Sequence, residues 1–153
     1  RGNPKNVGGL ADLRRADLRF VNRPEGSGTR VLTELLLERA GIAEGEVLGF
    51  DDTELTHAAV AAYIASGMAD VGIGVETAAW RCGLEFVPLA RERYFFGINK
   101  ELVGTQSLQR LLDLMNGDAY QEYVRNLVGY DCSLLGQVQT LEQAFGPAFA
   151  CRR

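Results

Sequence analysis

Histidine occurs once in these 153 residues, at His57. A single imidazole excludes a histidine-built metal cluster within one chain. Cysteine is sparse as well. Cys82, Cys132 and Cys151 are an odd number with no C-x-x-C spacing, which points away from a zinc site and from a disulfide framework, and toward buried or incidental thiols. Basic residues are outnumbered: 16 Lys and Arg against 20 Asp and Glu give a net charge of −4 and a pI near 5.1. That balance argues against a broad nucleic-acid-binding face, though not against a local basic pocket. No apolar run approaches the roughly 20 residues of a membrane span. Neither an initiator methionine nor a signal-peptide pattern is present, so the chain reads as a piece of a longer protein and its start says little about compartment. A Walker A loop with its lysine is missing, and so is a G-x-G-x-x-G fingerprint with its acidic partner. There is no Ser/His/Asp or Cys/His arrangement for nucleophilic catalysis, no internal repeat and no low-complexity segment.

What is present centres on residues 22–30, Asn-Arg-Pro-Glu-Gly-Ser-Gly-Thr-Arg. A short apolar run, Leu18-Arg19-Phe20-Val21, precedes it. After it, apolar residues at 31, 32, 35, 36 and 40 keep helical spacing. The order is strand, Gly/Ser/Thr loop, helix. Free N–H groups and a partial positive charge at the helix start suit an anion. Gly26 and Gly28 let backbone approach closely, Ser27 and Thr29 can donate, and Arg23 and Arg30 supply charge. The alternative is plain capping by Ser27 or Thr29, with both arginines solvated.

Along the chain, residues 1–12 read as a glycine-rich loop or hinge, and a strand is expected at 18–22 and a helix at 28–40 ended by Gly41. A short strand is expected at 47–50. Asp51-Asp52-Thr53-Glu54 carries a helix-start signature, so a second, alanine-rich helix is expected from there to Ser66-Gly67, with Thr56 and His57 in its first turn. Residues 70–75 form an apolar strand whose Gly72 and Gly74 mark a close approach by ligand or backbone. A short helix at 76–82 and apolar strands at 84–89 and 94–98 follow. Alternation of this kind predicts an α/β fold with a mainly parallel sheet and flanking helices. Ligands in such sheets bind beyond the strand carboxyl ends, where Ser27, Thr29 and the loop near Thr56 should gather. Beyond residue 105 come two amphipathic helices, one with Leu108, Leu111, Leu112 and Met115, the other with Ala119, Tyr120, Tyr123, Val124 and Leu127. Gly129-Tyr130-Asp131 breaks the pattern, and 141–145 forms a last helical turn.

Three stretches together carry a family resemblance: Asn22-Arg23 leading into Gly26-Ser27-Gly28-Thr29-Arg30, then Thr56-His57-Ala58-Ala59-Val60-Ala61, then residues 66–74, Ser-Gly-Met-Ala-Asp-Val-Gly-Ile-Gly. With Pro88-Leu89, Glu92-Arg93-Tyr94 and Gly129-Tyr130-Asp131, they resemble the molybdate-binding, periplasmic-binding-protein-like domain. That domain is the effector half of helix-turn-helix regulators and is also fused to molybdenum-cofactor biosynthesis proteins. The resemblance spans about residues 2–137. It implies a type II periplasmic-binding-protein fold with an incomplete first lobe. Residues 12–90 would be the second lobe, 1–11 and 91–98 the hinge and crossover, and 99–153 the helical part of the first lobe with its tail. It also implies that Ser27, Thr29 and the amides of Gly28 to Arg30 form an oxyanion cradle. Arg23 or Arg30 would add charge, and Thr56 and His57 would mark the second helix start at the cleft. Asp70 would hold loop geometry, and Tyr94 would lie where the chain recrosses the hinge.

The expected function is therefore non-enzymatic binding of molybdate or tungstate with no cofactor, by a regulator's sensing domain or a carrier. The expected partners are the oxyanion, the absent first-lobe segment and a helix-turn-helix domain, with no direct nucleic-acid or membrane contact; a homodimer is the alternative assembly. The expected location is cytoplasmic, with the periplasm as the alternative. A micromolar site needs about 8 kcal/mol, charge-assisted hydrogen bonds contribute about 1.5–3 kcal/mol each, and association itself is costly, so half a cleft should bind weakly. Two other classes compete. An organic-acid effector domain like that of LysR-type regulators would need apolar lining. An enzyme on the same scaffold would need an acid/base pair, for which Glu54, His57 and Asp70 are the candidates.

Overall fold

A computed structural model describes residues 2–146. Cys151 lies outside them. The chain divides into two units, residues 1–93 and 94–153.

The first unit is built on β1 (Phe20–Val21) and β2 (Val71–Gly72), which pair in parallel with Phe20 opposite Val71 and Val21 opposite Gly72. A parallel bridge joins Asn22 to Thr53 on the other side of β1. β1 is therefore central, between the segment that follows it in sequence and the one after that. Helix α1 (Gly28–Arg39) makes the first crossover and α2 (His57–Ala65) the second, and α3 (Glu76–Arg81) follows β2. Neighbouring residues of a strand face opposite ways. Phe20 accordingly packs on one face with Leu37 of α1, Leu13, Ile42, Val47 and Phe50, while Val21 packs on the other with Val60 of α2 and Ala69. Helices thus cover both faces, as a parallel sheet requires. Ala40 caps α1 and Gly41 turns the chain at φ 66°, which places buried Ile42 back under Leu37.

Several expected elements are absent. Residues 47–50 form a turn rather than a strand: Phe50 N–H donates to the Val47 carbonyl and Asp52 N–H to the Gly49 carbonyl. Val47 and Phe50 are buried while Leu48 between them is exposed, a three-residue spacing instead of alternation. Residues 51–54 do not begin a helix, because Asn22 holds them extended. Its N–H donates to Asp52 O at 2.7 Å, and Glu54 N–H donates back to Asn22 O at 2.9 Å. α2 consequently starts at His57, capped by Thr56 Oγ1, which accepts from Ala59 N–H at 3.0 Å. Among the described residues, 84–89 and 94–98 pair with no strand. Phe95 and Phe96 are more than half exposed. Their apolar and aromatic composition mimics a strand, but among the described residues they complete no ladder. The sheet is parallel, as expected, and much smaller.

The second unit holds α4 (Gln106–Asn116), capped by Thr105, then α5 (Asp118–Arg125) and α6 (Leu141–Phe145). Val124 is its one buried hydrophobic among the described residues. Gly136, at φ 75°, passes against the Asn116 side chain.

Candidate functional site at the strand carboxyl ends

In the first unit the three parallel segments end on one side, and three loops leave from there: 23–27, 54–56 and 73–75. Chain direction reverses across β1, since one crossover runs to the Thr53 side and the next to the β2 side. Ligands in open parallel sheets bind at such a reversal.

Ser27 caps α1, its Oγ accepting from Arg30 N–H at 3.2 Å. The cap uses the Arg30 amide and leaves the amides of Gly28 and Thr29 without an intramolecular acceptor among the described residues. Thr29 contributes its carbonyl to Thr33 Oγ1 at 2.8 Å. At α2 the Thr56 cap likewise leaves the His57 and Ala58 amides open. Both helices present free donors and the positive end of a dipole on this side.

Arg30 needs correcting as a source of charge for a ligand. Its side chain is buried, Nε donates to Glu34 Oε1 at 2.6 Å, Nη1 donates to the Phe50 carbonyl at 3.3 Å, and the guanidinium lies 4.1 Å from the Phe50 ring centroid. It joins α1 to the 47–50 turn. Arg23 has no salt bridge among the described residues. Its backbone N–H donates to Asn22 Oδ1 at 2.9 Å, while its Nε is buried and has no partner among the described residues. His57 Nδ1 is in the same condition. A Cβ built at Gly74 would stand 3.5 Å from it, an ordinary van der Waals contact. Burial and the Arg23 charge push the His57 imidazole below its ordinary pKa, with Glu92 acting in the opposite direction.

Asp70 holds structure. It accepts from Arg19 N–H (2.9 Å), Nε (3.1 Å) and Nη2 (3.2 Å), and pairs with Lys5 Nζ at 3.1 Å. The Arg19 hydrogen bonds keep its carboxyl far below the usual carboxylate range. Sequence reading under-weighted Asn22, which is 1% exposed. Its Nδ2 donates to the Phe50 carbonyl at 3.1 Å, so it straps β1 to the 50–54 segment. Replacing it with alanine would leave the Arg23 N–H without its acceptor and open a polar gap. Asn22→Ala should lose about 2–3 kcal/mol of unfolding free energy in urea denaturation; a change below about 0.5 kcal/mol, ordinary for surface positions, would remove it from this role. Glu92 was also missed as a charge at His57, because nothing local ties residues 35 apart.

Among the described residues no cluster of three or more His, Cys, Asp or Glu side chains is arranged to hold a metal ion. No helix there is long and apolar enough to cross a membrane.

Residues 1–116 match the PBP-like domain of the PBP superfamily. The chain belongs to that superfamily. Its small parallel sheet with helices on both faces accords with a periplasmic-binding-protein-like fold. Two similar proteins are the uncharacterized protein YvgK of Bacillus subtilis (strain 168) and an uncharacterized protein in the ferredoxin 2Fe-2S gene 5'-region of Clostridium pasteurianum. The first is 38% identical over 138 residues, 90% of this chain and 44% of YvgK. The second is 31% identical over 111 residues, 72% of this chain and 98% of that protein. This PBP-like chain therefore spans less than half the length of YvgK and nearly all of the clostridial protein. No solved structure matches it.

Proposed function

We propose that this PBP-like domain binds a tetrahedral oxyanion, molybdate or tungstate, at the carboxyl edge of its parallel sheet, without catalysing a reaction. The observation that carries this reading is the pair of buried nitrogens, Arg23 Nε and His57 Nδ1, that have no partner among the described residues. They stand where two capped helix starts offer free amides. An unpaired buried polar group costs about 1–3 kcal/mol, so a ligand that supplies acceptors to both relieves a cost as well as making bonds. Gly28, Thr29, His57 and Ala58 would donate through the backbone, Ser27 and Thr56 would hold the two helix starts, and Arg23 would supply charge. Residues 12–90 would serve as one lobe of a type II domain that closes on the anion with the rest of a longer protein. Its role would be that of a cytoplasmic sensing domain of a transcriptional regulator, or of a carrier.

Calorimetric titration with molybdate, tungstate, sulfate and phosphate tests this, with Arg23→Gln and the Ser27→Ala/Thr29→Ala double variant alongside. Tungstate or molybdate should bind in preference to the others. Arg23→Gln should weaken binding at least about tenfold, the equivalent of one charge-assisted hydrogen bond. The double variant should weaken binding by loosening the α1 start and, through the lost Ser27 cap, cost about 1 kcal/mol of stability. Tighter binding of small carboxylates than of tetrahedral anions, or an unchanged affinity in Arg23→Gln, would overturn the assignment.

A further inference from the structure

His57 is the only histidine in the chain, and its setting is contradictory for an unliganded side chain. Among the described residues Nδ1 is buried without a partner, and so is Nε of Arg23, the cation whose field reaches the ring. A neutral imidazole has one donor nitrogen and one acceptor; a protonated one donates from both. Burial and the Arg23 charge both disfavour the charged ring while no anion is present. An anion accepting from Arg23 Nε would remove the repulsion and offer an acceptor to Nδ1 at once.

The remaining surroundings do not supply that acceptor. α2 itself carries no other charged residue, only Tyr63 as a further titratable group. β1 and β2, which pack on α2, are uncharged, and the residues flanking them, Arg19 and Asp70, are paired with each other. α3, also packed on α2, brings Glu76 in its first turn and Arg81 in its last. The field at His57 comes from Arg23 and Glu92.

We propose that anion binding at this edge takes up a proton from solvent at the His57 imidazole, so that Nδ1 becomes a donor to the bound anion opposite Arg23 Nε. The inference rests on the oxyanion reading above and adds the linkage. Its sign follows from the setting. In the free protein the lowered pKa means that neutral His57 contributes stability above its ordinary pKa of about 6.5, and that this contribution is lost as pH falls. With the anion bound the preference reverses: affinity is greatest where the ring is charged and falls as pH rises through the bound-state pKa.

The single histidine makes the test direct, because its ring gives one set of imidazole resonances. These are titrated by NMR between pH 5.5 and 8.5 with and without saturating tungstate. Binding is measured in parallel by calorimetry at pH 7.5 in two buffers of different ionisation heat. The expected result is an upward move of the His57 midpoint by about one pH unit or more, a tenfold preference of the anion for the charged ring, with a fractional proton uptake per anion that makes the heats in the two buffers differ. His57→Gln should still bind, with no uptake and an affinity flat across this range. Tungstate binding with an unmoved His57 midpoint, or with equal heats in the two buffers, would overturn the proton linkage and leave the oxyanion site standing. No binding by any of the four anions at any pH would overturn both.

Discussion

Gly49→Ala is expected to cost the first unit at least about 3 kcal/mol, the largest loss from any single methyl group in it. Gly49 sits at φ 87°, where an alanine is strained by about 1–2 kcal/mol. The new Cβ would also stand closer than 3.0 Å to the Phe20 carbonyl oxygen and 3.3 Å from the Phe20 nitrogen. Those are backbone atoms of the central strand. Phe20 N–H donates to Leu48 O at 2.8 Å across the same gap, so the turn cannot move away without breaking the bond that seats it. A domain of this size is stable by about 5–14 kcal/mol, and the loss is a large share of that. Gly26→Ala is the control: φ there is 81° with nothing within 4 Å of a built Cβ. It should pay the backbone strain alone, about 1–2 kcal/mol. Urea unfolding of the two variants reads the difference, and equal losses would show that the turn does not press on β1.

Phe20→Ala should cost about 3–5 kcal/mol, the usual figure for removing a buried aromatic ring. Phe20 is 1% exposed, lies at the centre of the larger core cluster, and stacks on Phe50 with centroids 6.4 Å apart. Phe96 gives the contrast. It lies in an apolar run that looks as strand-like as residues 18–22, yet it is 69% exposed. Phe96→Ala should change stability by no more than about 0.5 kcal/mol. Chemical denaturation followed by circular dichroism measures both. A loss for Phe96→Ala comparable to that for Phe20→Ala would mean that residues 94–98 do pair in a sheet.

The contrast between those two phenylalanines also shows where sequence reading works. Both sit in apolar runs of the same texture, and nothing within either run says which one finds neighbours. The same holds at 47–50, where an apolar stretch folds as a turn because Gly49 closes on Phe20, nearly 30 residues away. It holds for Arg30, which stands in the anion-like motif but is drawn onto Phe50 and Glu34. Arg23, seven residues earlier and similar in sequence setting, keeps a nitrogen without a partner among the described residues.

By itself the sequence determined the features that short-range bonding decides. Ser27, one of the two hydroxyls expected to cap α1, does so through a bond to the amide three residues on; α1, α4 and α5 follow their apolar spacing; Gly41 ends its helix. It also determined the parallel order of β1 and β2, through alternating strand and helix patterns, and the close backbone approach at Gly72. Tertiary structure alone decided which apolar runs became strands, that Asn22 straps β1 to the 50–54 segment, and that Arg30 is paired while Arg23 Nε and His57 Nδ1 have no partner among the described residues. The division has one physical cause. Caps and helical faces depend on partners three or four residues away, whereas pairing, burial and the field at a titratable ring depend on partners 20 to 50 residues distant, which only the folded chain brings together.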